Sequence, residues 1–413
     1  MMERVFITGR GLLTPLGNSV RANEEALRSG KSGITFNQSF ADVQLDSTVG
    51  GLAEHDPQTE LIDRKTKRFC PPAGVMSVAA AEEAFKEAGI ALEDIPDMKM
   101  ALVGGQAASN TKEVHENASG YLSSNFRLRT VSPFAVPRIM PSSSVSILSL
   151  IFGIKGESYD VSAACASSAM AILQAVRLIR SGEYDMVMTG GVEQLDWQTA
   201  LGFCACRALS THYNDAPEKA SRPFDKNRDG FVLSSGAAYL VLESERSVKA
   251  RGVTPICEIT GIAANSNAKD MVVPDAKASA AVMRNALKDA GLDISDIGYI
   301  NTHGTATPVG DSVELNAIKA VIGDSNARPA INSTKSQTGH MVGATGAAEV
   351  IFSTIMMDKE FISPTLNLED PDESCAGLDV VQSARENVRF DHALSNSFAF
   401  GGSNACIVIS RCK

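Results

Sequence analysis

A cysteine between a predicted strand and a predicted helix is the residue best placed for nucleophilic chemistry. The run YDVSAACASS begins as an extended strand and continues through small residues around Cys165. Met170, Leu173, Val176 and Ile179 follow at the spacing of one helical face. Cys165 is therefore expected at a helix N-terminus, whose positive end favours the thiolate, the reactive form of cysteine.

Two histidines lie in loops rich in glycine and threonine. His303 follows the apolar segment 297–300, and His340 closes the motif KSQTGH before a further helical segment. Such loops lie at the carboxyl ends of strands, where sites form in open α/β folds. Together with the cation Lys335 and the acid Glu349, these histidines and the cysteine predict one active site.

The elements that must position these residues alternate along the chain. Apolar, β-rich segments and helical segments follow one another at 5–8, 77–88, 100–103, 158–161, 165–179, 186–188, 237–242, 256–262, 278–290, 297–301, 313–321, 344–357, 393–397 and 406–409. This order predicts an α/β fold with a mostly parallel sheet and helices on its faces. A break near Gly252 divides the chain into 1–252, with the cysteine, and 253–413, with both histidines.

Composition excludes several classes of function. A net charge of −10 over 413 residues argues against nucleic acid as a partner. No apolar run is long enough to span a membrane, and the N-terminus lacks a signal-peptide pattern, so we expect a cytoplasmic protein. The spacing of the histidines and cysteines predicts no metal site. Gly9, Gly11 and Gly17 fail the dinucleotide-binding spacing and predict a tight turn after the first strand.

Four segments occur in the order SAACASS, HGTATPVGD, KSQTGH and NSFAFGGSN. Together they resemble the signature set of the β-ketoacyl-acyl carrier protein synthases of types I and II, in the thiolase superfamily. LIDRKTKRF and PEKASRPFDKNRDGFVL also resemble this family, so the resemblance covers nearly the whole chain and favours the type I branch. It implies a thiolase-like, five-layered αβαβα fold with two pseudo-duplicated halves, assembled as a homodimer.

The resemblance also implies a function, that of a 3-oxoacyl-[acyl-carrier-protein] synthase of fatty acid biosynthesis. Cys165 would accept an acyl chain as a thioester, and malonyl-carrier protein would lose CO₂ and attack that thioester. His303 and His340 would donate hydrogen bonds to the malonyl thioester oxygen, with Lys335, paired with Glu349, supporting His340. No cofactor is implied, because phosphopantetheine of the acyl carrier protein brings the substrates.

Further residues take roles by the same resemblance. The backbone N–H groups of Cys165 and Phe400 would form the oxyanion hole, and Phe398, Ala399 and Phe400 belong to a mobile gate. The family usually has glycine where Ala399 stands, and alanine does not reach positive φ as readily as glycine. We therefore expect this gate to move less easily. Thr305 and Thr307 match the positions that bind the pantetheine arm.

Two surfaces complete these expectations. Ala108 matches the position where the acyl pocket narrows or opens across the dimer interface, and its small side chain leaves room for a longer chain. An acidic carrier protein needs a local basic patch on a chain of net charge −10. Lys65, Arg68 and Arg207 are the candidates for that docking patch.

Two other interpretations remain open at this point. The chain fits a ketosynthase of a polyketide or polyene pathway as well as one of fatty acid synthesis. Some relatives are non-catalytic chain-length partners that lack the nucleophile. The presence of Cys165, His303 and His340 disfavours this second alternative.

Overall fold

The computed structural model describes residues 3–57, 59–108 and 110–412, in which strands and helices alternate. The strands are β1 Val5–Leu13, β2 Ile34–Phe36, β3 Val49–Gly51, β4 Met100–Gly105, β5 Ser158–Val161, β6 Met186–Glu193, β7 Gly236–Ser244, β8 Cys257–Ser266, β9 Tyr299–Asn301, β10 Ala330–Asn332, β11 Phe361–Ile362, β12 Asp379–Val380, β13 Arg385–Glu386, β14 His392–Phe398 and β15 Ser403–Ser410. The helices are α1 Val20–Ser29, α2 Gln38–Asp42, α3 Pro72–Glu87, α4 Thr111–Ser123, α5 Ala135–Ile139, α6 Ser143–Phe152, α7 Ser167–Arg180, α8 Trp197–Ala205, α9 Glu245–Arg251, α10 Ala276–Ala290, α11 Pro308–Ile322, α12 Lys335–Thr338 and α13 Thr345–Lys359.

The main sheet contains the same strand pattern twice. Its order is β12-β10-β9-β14-β15-β8-β1-β7-β6-β4-β5 in the part of the chain that the structure describes. From the centre outward, β1-β7-β6-β4-β5 and β8-β15-β14-β9-β10 have the same order and the same strand directions. The two sets meet where β1 pairs with β8. This repeat is the pseudo-duplication of a thiolase-like fold.

The sheet is mixed, and the prediction of a mostly parallel sheet is wrong. In each half the two strand pairs nearest the centre are antiparallel, and the next two pairs are parallel. Alternation of strands and helices predicts parallel pairing only where each helix is a crossover between neighbouring strands. Here β14 returns directly into β15 through a short loop and pairs with it antiparallel.

Two helices form the layer between the halves of the sheet. Helix α7 packs against β4 and β6 of the first half and also against β15 and β8 of the second. Every residue of α13 from Thr345 to Met357 is buried, as a helix covered on all sides requires. Helices α3 and α6 cover the outer face of the first half, and α10 with α11 covers that of the second. Among the described residues, no helix is long and apolar enough to cross a membrane.

The first strand is longer than predicted, so the expected tight turn follows it at Thr14–Gly17, where each of these two residues donates its N–H to the carbonyl of the other, and its predicted place at Gly9 and Gly11 is wrong. Both glycines lie inside β1. A Cβ at Gly9 would come within 2.1 Å of the Ala84 carbonyl oxygen, and one at Gly11 within 1.8 Å of the Ala80 carbonyl oxygen. Glycine is needed here because α3 lies directly against the strand backbone.

The two repeats are separated by a single short helix. The first repeat ends with β7 at Ser244 and the second begins with β8 at Cys257, with α9 between them. Gly252 ends α9 in the left-handed conformation, at φ 65°. The division into 1–252 and 253–413 stays a prediction.

Candidate active site

Cys165 lies on a sharp turn between β5 and α7. The helix begins at Ser167, two residues later than predicted, because residues Ala164–Ala166 form a 3₁₀ turn. Ala164 has φ 47°, a conformation that non-glycine residues rarely adopt. Ser167 fixes the turn, since its hydroxyl accepts from the Ala163 N–H and donates to the Ala164 carbonyl. The turn holds Cys165 almost buried, with 9% of the residue exposed.

Backbone N–H groups of two residues point toward the sulfur of Cys165. They belong to Cys165 itself and to Phe400, which lies in the loop after β14. An acyl carbonyl carbon bonded to this sulfur would place its oxygen within reach of the same groups. This placement fits the oxyanion hole that the family resemblance implies, and the role of the pair stays a prediction.

The Cys165 side chain is a thiol at neutral pH, contrary to the expectation that the helix N-terminus favours the thiolate. Burial raises the pKa of Cys165 to about 12, and the charge of Glu193 acts in the same direction. Lys335 and the two backbone N–H groups oppose this shift but do not outweigh it. Desolvation disfavours the charged form more strongly than the helix terminus supports it.

The two predicted histidines lie together over one cavity with Cys165. The rings of His303 and His340 are 5.4 Å apart between centroids and nearly perpendicular, at 84°. His303 follows β9, and His340 follows α12 and the turn at Gly339, where φ is 70°. Both histidines and Cys165 line a cavity of about 340 Å³.

Burial keeps both imidazoles neutral. It lowers the pKa of each histidine well below 6.5, and the nearby Lys335 charge lowers both further. The Nδ1 atom of His340 lies 3.0 Å from the Thr345 hydroxyl. When that hydroxyl donates, the proton of His340 resides on Nε2, which is buried without a protein partner. A neutral ring in this tautomer offers an N–H donor to a substrate oxygen.

The expected ion pair between Lys335 and Glu349 is present behind His340. Lys335 Nζ lies 2.6 Å from Glu349 Oε1, and each side chain is 1% exposed. Burial raises the pKa of Glu349 to about 7 although Lys335 opposes this shift. Lys335 also shifts the pKa of both histidines, so its charge acts electrostatically on the site.

Replacing Lys335 alone is expected to lower the free energy of unfolding substantially. Lys335→Met leaves a buried carboxyl without its counter-ion, which typically costs about 3–5 kcal/mol. Lys335→Met/Glu349→Leu, which removes both charges, should recover at least half of that loss. Lys226→Met is the control, because the Lys226–Asp370 pair is exposed and its loss should change the free energy of unfolding only slightly. Urea denaturation measures all three, and a Lys335→Met loss no larger than that of the control would contradict the prediction.

The predicted gate residues form one wall of the cavity. Phe398 and Phe400 line it, and the Phe400 ring lies 6.4 Å from that of Phe203. Ala399 adopts an ordinary extended conformation, with φ −123° and ψ 154°. Positive φ occurs instead at Gly401 and Gly402. Restricted gate motion at Ala399 stays a prediction.

Two backbone hydrogen bonds connect the loop after β14 to a neighbouring segment. The Gly401 N–H donates to the Met271 carbonyl, and the Asn267 N–H donates to the Gly402 carbonyl. Asn267 and Met271 belong to the segment 267–274, which lines the same cavity. Movement of Phe400 would therefore also disturb that segment.

Thr305 and Thr307 line the same cavity. Their hydroxyls are 3.1 Å apart, and both residues line the cavity with His303. This hydroxyl pair presents donors and acceptors to the cavity that also contains Cys165. This placement fits the predicted contact with a pantetheine arm.

The remaining predicted residues are divided between the cavity and the surface. Arg207 lines the cavity mouth. Lys65 and Arg68 are exposed in and beside a 3₁₀ turn of residues 66–68, and neither lines the cavity. Ala108 lies before α4, where its N–H donates to Glu193, and it is absent from the lining of the cavity over Cys165. Its role in the acyl pocket stays a prediction.

Backbone strain marks the site at positions that sequence reasoning missed. Besides Ala164, the non-glycine residues Ala306 and Val342 have φ of 65° and 39°. Each lies within three residues of Cys165, His303 or His340. Such strain accumulates where surrounding structure fixes catalytic loops. The only sign of this backbone strain in the sequence is the small residues beside the motifs.

Glu314 is a second residue that sequence reasoning missed. Its carboxylate accepts from the N–H groups of His303 and Gly304, at 2.9 and 2.8 Å, and from the Asn396 side chain. It thereby fixes the His303 loop to α11 and β14. Its position one helical turn after Asp311 in the motif could have indicated this, because Asp311 similarly accepts from the Thr305 N–H.

Comparison with known proteins agrees with this geometry. The family models described as Beta-ketoacyl synthase, N-terminal domain and C-terminal domain match residues 2–247 and 256–369. A 3-oxoacyl-[acyl-carrier-protein] synthase 1 of Haemophilus influenzae is 40% identical over 412 residues, 99% of each chain. A β-ketoacyl synthase structure from Burkholderia phymatum has a TM-score of 0.94 and 35% identity over the whole of both chains. The structure of a type II polyketide acyl-carrier protein in complex with its ketosynthase gives 0.91 and 27%, again over both whole chains.

Proposed function

Because the chain belongs to the β-ketoacyl synthase family of condensing enzymes, we propose that it elongates acyl chains by decarboxylative condensation with malonyl-acyl carrier protein. The observation that carries this proposal is the placement of Cys165 and two neutral histidines, the half-buried His303 and the buried His340, around one cavity. The cavity provides a nucleophile, two backbone donors and two imidazole donors. These are the groups that a thioester condensation requires.

In the first half-reaction the acyl group moves to Cys165. The sulfur attacks the acyl thioester carbon, and the N–H groups of Cys165 and Phe400 bind the oxyanion that forms. The carbonyl re-forms as the pantetheine sulfur leaves. The thiol proton passes to that leaving sulfur, so a raised Cys165 pKa is compatible with the overall transfer.

In the second half-reaction malonyl-carrier protein enters the same cavity. Its carboxylate leaves as CO₂, and the electron pair of the broken bond becomes an enolate. His303 and His340 donate hydrogen bonds to the enolate oxygen. The carbanion attacks the acyl carbon on Cys165, the sulfur leaves and takes up a proton, and a 3-oxoacyl chain two carbons longer is released.

The experiment that tests this proposal is mass spectrometry of protein and product. The protein is incubated with a series of acyl-carrier proteins and then with malonyl-carrier protein. A mass increase on Cys165 followed by a product two carbons longer supports condensation. No label with any acyl chain would overturn it and favour a non-catalytic partner subunit.

A polyketide or polyene pathway is the second candidate for the same chemistry. The similarity in fold to a polyketide ketosynthase, at a TM-score of 0.91, supports this second candidate. The identity of that neighbour, 27%, is lower than the 40% to the Haemophilus synthase, which favours fatty acid synthesis. The acyl chains that label Cys165 fastest would distinguish these pathways.

We propose an acidic acyl carrier protein as the partner, bound near the cavity mouth. Lys65→Glu and Arg207→Glu are each expected to raise KM for carrier-bound substrate about tenfold, because each places a like charge against the carrier. KM for an acyl-pantetheine without carrier should stay unchanged. Steady-state kinetics at low and high salt measure this difference, since salt screens such contacts.

A matched charge reversal elsewhere makes the test specific. Lys288 is exposed on α10, far along the chain from both candidates, and Lys288→Glu changes net charge by the same amount. It should leave KM for carrier-bound substrate within about twofold of the original. An equal rise in all three variants would indicate a general charge effect and contradict a local docking patch.

We also propose a homodimer in the cytosol. Strand β5, which leads to Cys165, is at one edge of the main sheet, and large apolar side chains are exposed nearby in sequence, at Leu122, Phe126, Leu128 and Val136. A monomeric mass in sedimentation would contradict the dimer. The cytosolic location stays a prediction.

A further inference from the structure

The side chain of Glu193 joins two loops of the active site that come from different repeats of the chain. Glu193 is the last residue of β6 and is 1% exposed. Its Oε2 atom accepts from the Ala107 and Gly343 N–H groups, at 3.0 and 2.9 Å, and its Oε1 atom accepts from the Ala108 N–H, at 3.0 Å. One carboxylate therefore holds the loop after β4 against the turn after His340.

The backbones of this loop and this turn lie directly against each other. A Cβ at Gly343 would come within 2.6 Å of the Ala107 nitrogen. Gly343 belongs to the 3₁₀ turn Val342–Ala344, whose first residue has φ 39°. A backbone conformation of this kind persists only where the surrounding structure fixes it. The hydrogen bond from the Gly343 N–H to Glu193 is one of the contacts that fix it.

The turn after His340 also packs against the nucleophile. Val342 and Cys165 belong to one apolar cluster. The 3₁₀ turn that contains Cys165 contacts the turn Val342–Ala344 as well. The positions of Cys165 and His340 therefore depend on the same short turn, and Glu193 connects that turn to the central sheet.

Glu193 also places a negative charge near the nucleophile. Hydrogen bonds from N–H groups favour the ionised form of a carboxyl group. The charge of Glu193 raises the pKa of Cys165, whereas the charge of Lys335 lowers it. His303 and His340, which line the cavity with Cys165, are neutral and add no charge. A change at Glu193 therefore alters Cys165 through charge as well as through packing.

From these contacts we infer that Glu193 is a positioning residue, which fixes the turn after His340 against the nucleophile and maintains a negative charge beside it. Glu193 does not line the cavity over Cys165, so it acts through other residues rather than on the substrate. Its charge keeps Cys165 in the thiol form, which reacts with electrophiles far more slowly than the thiolate. The inference rests on the proposed function only for the role of His340.

Glu193→Gln removes the charge and keeps the size of the side chain. A carboxamide has an NH₂ group in place of one oxygen, so at least one of the three backbone N–H groups loses its acceptor. Release of CO₂ from malonyl-carrier protein should fall about tenfold, because the His340 turn is no longer held in place. Alkylation of Cys165 by iodoacetamide, followed by mass from pH 7 to 9, should become about threefold faster at each pH, because loss of a negative charge lowers the pKa of the thiol.

Glu193→Asp separates the effect of position from that of charge. The shorter side chain keeps its charge but cannot retain all three hydrogen bonds. Release of CO₂ should therefore fall as in Glu193→Gln, whereas alkylation of Cys165 should stay within about twofold of the original. A cooperative melting curve shows that each variant is folded.

Glu243→Gln is the matched control. Glu243 is a buried glutamate of the neighbouring strand β7, where its carboxylate accepts from Thr8 and Arg251. It lies at the opposite end of β7 from Gly236, the residue that pairs with Glu193. Glu243→Gln removes a buried charge of the same kind away from the site, so both rates should stay within about twofold of the original.

The outcomes separate this inference from the proposed function. Unchanged release of CO₂ in both Glu193 variants would overturn the positioning role. Equal acceleration of alkylation in Glu193→Gln and Glu193→Asp would overturn the role of the charge, because Glu193→Asp retains it. If the unchanged protein released no CO₂ while Glu193→Gln still accelerated alkylation of Cys165, the proposed function would be wrong and the role of Glu193 beside the thiol would stand.

Discussion

Replacing Cys165 by alanine is expected to abolish condensation while leaving decarboxylation of malonyl-carrier protein in place. Acyl transfer needs the sulfur as the atom that bonds the acyl carbon, so the rate of 3-oxoacyl formation should fall by a factor on the order of 10³ or more. Decarboxylation needs only donors to the enolate oxygen, a role that we propose for His303 and His340. Release of CO₂ should therefore continue without elongation.

A second cysteine supplies the control for this prediction. Cys206 is exposed and lines the same cavity, where its thiol contacts the Phe203 carbonyl. Cys206→Ala should keep the condensation rate within about twofold, and mass spectrometry should still place the acyl group on Cys165. If Cys165→Ala retained condensation, or if Cys206→Ala lost it, Cys165 would not be the nucleophile.

The site could be predicted from sequence because each of its loops has its own local signal. Cys165, His303 and His340 stand beside small residues at the ends of apolar segments, and the structure brings all three to one cavity. The ion pair between Lys335 and Glu349 could be predicted for a similar reason, since both lie close to His340 in the chain. Local sequence patterns are sufficient to predict such a site, because the fold only has to bring the ends of strands together.

Properties that depend on the packed environment could not be predicted in this way. A helix N-terminus predicts a thiolate, but the pKa of Cys165 depends on how many atoms exclude water from it, and burial raises that pKa. The antiparallel pairs at the centre of the sheet depend on which strands become neighbours. The contact of α4 with α8 likewise joins residues that are far apart in sequence. These features arise from long-range packing, on which the periodicity of a segment carries no information.

Each histidine is expected to support decarboxylation rather than acyl transfer. His303→Ala and His340→Ala should each lower the rate of CO₂ release about a hundredfold or more, because each removes one donor to the enolate oxygen. Acylation of Cys165 should change only a few-fold, since its oxyanion is bound by the backbone of Cys165 and Phe400.

His340→Asn, which keeps an N–H donor, should recover part of the lost rate. His392→Ala is the control, because His392 lies at the opposite end of β14 from Phe398. Rapid measurement of CO₂ release and of Cys165 acylation in the same samples separates the two steps, and an equal loss of both in His303→Ala would contradict the assignment of this histidine to the enolate.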